Sequence, residues 1–247
     1  MNHCKSGYKK VHLWALAALL FFCLGNEASA EEANSWQHEL TIYGWLAGID
    51  GTVHVPTAPG SGADFNVPVE DILENLEMIF MGGWVSKKGK WSIIGDMVYM
   101  DVGDSADVVD VELDITSWVL NGGVGYDLVQ TDGGILAVVG GVRYMSVEPK
   151  IQVRGVTKSQ SGNLVDGIIG LRGTINFNKN WFLPYYADIG TGGSDYSYQL
   201  FAGVGYRFGW GDIRLGYRHL DFEMDDDDGP MGSMTLSGPV FGVGFIF

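Results

Sequence analysis

The chain has 247 residues, among them 37 glycines, 12 Phe, 11 Tyr and 8 Trp, and a formal charge of −15 at pH 7. Charged residues make up 18% of it, against a usual share of roughly a quarter; this and the acidic balance exclude a disordered or nucleic-acid-binding chain. Glycine at about twice its usual share points to many turns and closely approaching backbones.

The first thirty residues read as an address. Lys5, Lys9 and Lys10 give a positive start, Val11 to Leu24 an apolar run, and Ala28-Ser29-Ala30 a small-residue cleavage site. Residues 1–30 are therefore expected to be a secretory signal peptide and residues 31–247 the mature domain. The apolar run is short of the roughly 20 residues that a spanning helix needs, and Cys23 follows Phe22, where a lipoprotein signal wants a small residue. Cys4 and Cys23 both lie in the removed segment, so the mature chain is expected to use neither disulfides nor thiolates.

From Leu40 onward, apolar residues alternate with small or polar ones between Gly, Asp, Asn and Lys turns, which is the strand pattern. Ten strands are predicted, at about 36–50, 78–86, 91–102, 111–127, 134–148, 163–177, 181–190, 196–208, 212–223 and 234–247. Their connections alternate between tight turns at residues 87–90, 131–134, 177–180 and 209–211 and mostly longer loops at 51–77, 103–110, 149–162, 191–195 and 224–233. Short turns at one end and long loops at the other are the layout of a closed antiparallel transmembrane β-barrel of the outer membrane, of about ten strands with eight as the alternative. A soluble β-sandwich also has many short strands. Against it stand the ending Phe241-Gly-Val243-Gly-Phe245-Ile-Phe247, which resembles the signature read by the barrel assembly machinery, and the aromatics Trp91, Trp181, Tyr206, Phe208 and Trp210 beside the short turns.

The basic residues divide by type. All six lysines after residue 30 fall in the predicted turns or loops, whereas five of the six arginines fall within the predicted strands. Lipid contact would cost each arginine about 2–4 kcal/mol at mid-bilayer, so they are expected to point inward. Alternation then decides the neighbours. With Arg172 inside, Ile169, Leu171 and Ile175 face out, and Asp166, Thr174 and Asn176 face in. Arg143 inside puts Val138, Val142 and Tyr144 outside; Arg207 inside puts Val204, Tyr206 and Phe208 outside. Arg214 and Arg218 inside put Ile213, Leu215 and Tyr217 against lipid. Glu39, Asp96, Asp166 and Asp188 take matching inward positions. Buried charge is tolerable only when paired, so an Arg–carboxylate network of Glu39, Asp96, Arg143, Asp166, Arg172, Asp188, Arg207, Arg214 and Arg218 is expected to fill the lumen. Ten strands fall far short of the 16–18 that leave an aqueous channel. A narrow ion or small-solute path remains the alternative.

In the first long loop, Val69, Ile72, Leu73 and Leu76 have the spacing of a short amphipathic helix, placed to lie on the membrane surface, to cap the barrel mouth, or only to tidy the loop. Asp225 to Asp228, and Asp104, Asp107, Asp110, Glu112 and Asp114, are acidic enough to suggest divalent cations, without EF-hand spacing. Of the histidines, His38 lies at the periplasmic start of the first strand. His219 and Asp221, two apart near the outer rim, would allow a base and its orienter in a rim hydrolase, with His54 in the first loop able to approach. Parity turns both outward, however, and no G-x-S-x-G motif exists. No enzyme activity, catalytic residue, metal site or cofactor is therefore expected.

The stretch Tyr43-Gly44-Trp45-Leu46-Ala47-Gly48-Ile49-Asp50-Gly51, followed by Asp71-Ile72-Leu73-Glu74-Asn75-Leu76 and Phe80-Met81, resembles an uncharacterised family of small bacterial outer-membrane β-barrel proteins. So do Gly95-Asp96 through Asp101, Gly203-Val204-Gly205-Tyr206-Arg207-Phe208, Gly216-Tyr217-Arg218 and the ending from Leu236 to Phe245. The resemblance implies location and fold, and no activity or catalytic residue; the family pattern prefers tyrosine where His219 stands. The sequence thus leads to a monomeric integral barrel of the Gram-negative outer membrane with a filled lumen and a structural or surface-interaction role. Its expected partners are outer-membrane lipid and lipopolysaccharide, the assembly machinery through the Phe247 strand, and divalent cations at the acidic loops, with no nucleic acid.

Overall fold

The computed structural model describes residues 35–54, 62–74, 76–102, 111–153, 156–159, 162–224 and 231–247. Thirteen strands form one sheet: β1 (Gln37–Trp45), β2 (Gly48–His54), β3 (Gly62–Val67), β4 (Leu76–Lys88), β5 (Trp91–Val102), β6 (Val111–Thr131), β7 (Gly134–Val153), β8 (Val156–Ser159), β9 (Gly162–Asn176), β10 (Trp181–Gly192), β11 (Tyr196–Arg207), β12 (Gly211–Glu223) and β13 (Met231–Ile246). The last strand closes on the first. β13 pairs β1 from Glu39↔Ile246 to Trp45↔Val240, and pairs β2 from Gly48↔Ser237 to Val53↔Met231. β1 and β2 are therefore two halves of one stave, interrupted at Leu46-Ala47. β3 extends only β2, and β8 only β7. The wall thus has ten antiparallel staves, and the eight-strand alternative is excluded.

Hydrogen bonding explains the closure. In a membrane every backbone N–H and C=O must find a partner within the protein, and a closed barrel leaves no edge. At the seam the His38 N–H donates to the Phe247 carbonyl at 2.8 Å and the Phe247 N–H returns to His38 at 2.9 Å.

Tight turns set the register at one end. Lys88↔Trp91 is joined by Gly89-Lys90, with Gly89 at φ 59°, a conformation that glycine reaches without Cβ strain. Between β9 and β10, Asn178 Oδ1 accepts from the Asn180 and Trp181 amides at 2.9 and 2.8 Å. At the other end the expected loops 51–77 and 149–162 contain structure that alternation did not reveal: the β2–β3 and β7–β8 hairpins extend beyond the barrel. Helix α1 covers Val69–Glu74, ending short of Leu76, which begins β4 instead. Its Ile72 is buried with Met100 against Ile49 and Val67, so the helix packs on the barrel's loop end.

The wall is inverted relative to a water-soluble protein. Val142, Ile169, Leu171, Ile175, Val204, Ile213, Leu215 and Tyr217 are exposed outside, Leu215 at 64%, while Arg143 and Asp166 inside are at 0%. A belt of rings circles the short-turn end: Trp91 against Tyr126, Trp181 against Tyr206, Phe208 between Tyr206 and Trp210, and Phe247 against His38 and Trp84.

Candidate functional site

The inward side chains stack in three tiers, because each strand contributes one inward residue per two positions. The middle tier is a continuous polar belt. On β12, Arg218 donates to Asp96 of β5 at 2.9 Å, to Gln199 of β11 at 2.7 Å and to the Tyr43 hydroxyl of β1 at 2.8 Å, and its guanidinium lies 4.6 Å over the Trp45 ring. Tyr43 donates in turn to Asp96 at 2.6 Å, and Asn121 of β6 donates to the same carboxylate at 3.1 Å. Asn121 then accepts from Arg143 Nε at 2.9 Å. Arg143 ion-pairs with Asp188 of β10 at 2.5 Å, both side chains fully buried, and donates to Ser197 at 3.2 Å. Ser197 donates to Asp166 at 2.7 Å. Eight of the ten staves are thereby tied together across the lumen.

Two positions further out along seven of the staves the lumen turns apolar. Tyr43 is followed by Trp45, Asp96 by Val98, Arg143 by Met145 and Arg218 by Leu220; on the descending strands Val119 precedes Asn121, Leu164 precedes Asp166, and Met81 precedes Gly83. With Phe222, Met234, Leu236 and Val240 they form one buried cluster. Leu220 and Phe222 are at 0% exposure.

The innermost tier, beside the short turns, is again charged. Arg214 reaches Glu39 at 2.5 Å and Asp212 at 2.7 Å, and Lys87 reaches Asp127 at 2.5 Å. Arg207 donates to Asn176 at 3.0 Å and stacks 4.2 Å over Phe182. Among the described residues Arg172 has no ion-pair or hydrogen-bond partner; its Nη1 and the Oγ1 of Thr174, two residues on along β9, are both buried without one.

This corrects the expected network in three respects. Among the described residues only Arg143, Arg214 and Arg218 meet carboxylates within ion-pair distance, whereas Arg172 and Arg207 do not. Asp166, although opposite Arg143 in the β7–β9 register, is held by the Ser194 amide at 2.9 Å, the Ser194 hydroxyl at 2.6 Å and Ser197. These nearby donors satisfy it without ordering a long side chain. Finally, the outer half of the lumen is packed with hydrocarbon rather than charge. Asp212 and Asp127 are inward acids beyond the expected set. Asp212 is legible, since it shares a strand face with Arg214; Asp127 keeps the parity of Asn121, but β6 carries no arginine to mark which of its faces is inward.

His219 and Asp221 point to the outer wall. His219 Nε2 is 3.0 Å from the Tyr198 hydroxyl, and Asp221 accepts from Thr235 at 2.5 Å, so the two do not form a base–orienter pair. His38 Nδ1 meets Ser86 Oγ at 2.8 Å on the outer wall at the short-turn end. Among the described residues no group of three or more His, Cys, Asp or Glu is placed to hold a metal ion. The acids Asp104, Asp107, Asp110 and Asp225 to Asp228, together with the side chains of His54, Glu112 and Asp114, lie outside the described residues.

A closed sheet with an apolar outer wall, an aromatic belt and a packed, charge-bearing interior defines a transmembrane β-barrel. No protein-family model matches the chain, so the family resemblance rests on its motifs alone, and no curated protein matches either. Among solved structures, the chain is similar to the translocator domain of the autotransporter NalP from Neisseria meningitidis, at 13% identity and TM-score 0.42, covering 95% of this chain and 94% of that one. It is similar also to Ail, the attachment invasion locus protein of Yersinia pestis, at 11% identity and TM-score 0.39, covering 85% and 98%. The outer membrane protein OprG from Pseudomonas aeruginosa aligns at 10% identity and TM-score 0.32, covering 85% and 95%.

Proposed function

We propose that the protein is an integral barrel of the Gram-negative outer membrane with a closed lumen, acting as a structural or surface-interaction element through its extracellular loops. The observation that carries this reading is the buried apolar tier of Trp45, Met81, Val98, Val119, Met145, Leu164, Leu220 and Phe222 above the Arg–carboxylate belt. Hydrocarbon packed across the lumen leaves ions no hydrated path, and the belt beneath it is locked by buried charge pairs. In this reading the belt of aromatic rings marks the periplasmic interface, lipid and lipopolysaccharide surround the wall, and the strand ending in Phe247 is the segment presented to the assembly machinery. Two measurements test it. Refolded protein in a planar lipid bilayer is expected to stay electrically silent, and stable nanosiemens steps would overturn the closed lumen. Envelopes separated on a density gradient are expected to carry the protein with the outer membrane; recovery with the inner membrane would overturn the location.

A further inference from the structure

The innermost tier of the lumen holds more positive charge than its own carboxylates neutralise. Arg172, Arg207, Arg214 and Lys87 share this tier with Glu39, Asp212 and Asp127, and the Lys87–Asp127 ion pair lies at 2.5 Å. Arg214 takes the other two acids, Glu39 and Asp212, within contact distance. Arg207 settles on the face of Phe182 and the Asn176 amide, and Arg172 keeps a buried Nη1 with nothing to donate to. Thr174, two residues along the same inward face of β9, has a buried hydroxyl in the same condition. A buried N–H or O–H with no acceptor forfeits the hydrogen bond that water would have given it.

We infer that Arg172 and Thr174, with Arg207 and Arg214 as the surrounding positive charge, form a binding site for one small monovalent anion of the chloride type. The chemistry of the two unpartnered groups selects the ligand. A guanidinium N–H and a hydroxyl both present protons, and an anion accepts from both without needing a donor in return, whereas a water molecule would also require acceptors for its own two protons. A single negative charge balances the tier's four cations, Arg172, Arg207, Arg214 and Lys87, against its three carboxylates, Glu39, Asp212 and Asp127. Access is from the short-turn end. Asn176 ends β9 four residues beyond Arg172, and the side chains of Arg214 and Glu39 at that mouth keep 21% and 25% of their surface exposed. On the other side the belt and the apolar tier close the route, so the site is a dead-end vestibule and does not depend on conduction.

The test is thermal unfolding of the refolded full chain in detergent, at constant ionic strength, with sodium chloride exchanged for sodium gluconate, an anion too bulky for the lumen. Because a ligand bound only by the folded state raises its stability by mass action, chloride is expected to raise the wild-type midpoint by about 5 °C over a hundredfold concentration range. Thr174→Val, which keeps shape and charge, is expected to fold and to lose most of that rise. Arg172→Met is expected to lose all of it. Line broadening of chloride-35 in nuclear magnetic resonance, present for the wild type and absent for Thr174→Val, provides a readout independent of stability. Equal midpoints in chloride and gluconate, or a chloride response that survives in both variants, would overturn the site and leave the vestibule to water alone.

Discussion

Arg218 Nη2 and Asp96 Oδ1 meet at 2.9 Å across the barrel interior, from β12 to β5, although 122 positions separate them in the chain. Neither strand neighbours the other in the sheet. The contact therefore fixes the lumen's cross-section rather than the pairing of adjacent staves. Asp96→Leu leaves the Arg218 guanidinium buried without its carboxylate and is expected to cost about 3–5 kcal/mol, while the double variant with Arg218→Met costs less than the two single changes added together. Urea unfolding in lipid vesicles, followed by tryptophan fluorescence, measures both; strictly additive losses would mean that the pair has no coupling.

The apolar tier has its own energetic signature. Leu220 and Phe222 are fully buried on the inward face of β12, so Leu220→Ala should destabilise the barrel by about 2–5 kcal/mol and Phe222→Ala by about 3–5 kcal/mol, from lost burial and the cavity left behind. The same unfolding experiment reads the loss. Values below about 1 kcal/mol would show a tier that is hydrated rather than packed.

Lipid contact on the wall predicts a gradient with depth. Leu215 lies four residues into β12 from its short-turn end and is 64% exposed, whereas Ile213 lies two residues from that end. Leu215→Arg is expected to cost about 2–4 kcal/mol and Ile213→Arg about 0–1 kcal/mol, since a charge near the interface reaches water. Equal costs at the two positions, measured in bilayers, would argue against a hydrocarbon slab around the middle of the wall.

Two adjacent glycines of β6 separate close packing from open space. A Cβ on Gly123 would sit 2.6 Å from the Gly140 carbonyl oxygen and 3.1 Å from the Gly141 Cα, atoms of backbone that cannot step aside, whereas at Gly122 nothing lies within 4 Å. Gly123→Ala should therefore destabilise by about 1–3 kcal/mol. Gly122→Ala should be neutral or stabilise by up to about 1 kcal/mol through the unfolded state. The temperature at which the folded band disappears in heated detergent gels ranks the two variants.

The barrel was legible in the sequence because its determinants are local. Alternation with a period of two separates a lipid face from a lumen face on each strand, and a single arginine is enough to say which is which: Arg172 on β9 sorts Ile169, Leu171 and Ile175 from Asp166 and Thr174 without reference to any other strand. Turn residues at Gly89-Lys90 and Asp132-Gly133 likewise declare themselves within four positions. The hairpin extensions β3 and β8 are six and four residues long and lie inside long connections, so even the alternation of Ala63, Phe65 and Val67 with Asp64 and Asn66 is too brief to mark a strand. The break at Leu46-Ala47, where one stave is shared by two strands, is likewise unmarked.

Which inward group meets which was a different kind of question. Parity sends Arg143, Asp166 and Asp188 into the same lumen, but choosing Asp188 for Arg143, and Ser194 and Ser197 for Asp166, depends on stagger around a closed sheet, where a shift of one pairing step moves every side chain to another height. The apolar tier above the charged belt, and the excess of guanidinium below it, arise in the same way, from ten strands brought to common heights by closure. Composition and alternation determined that this chain forms a barrel and which face of each strand is wet or greasy. Closure alone decided which charges are spent on one another and which are left over, because contact energies act across the lumen between residues that no sequence interval connects.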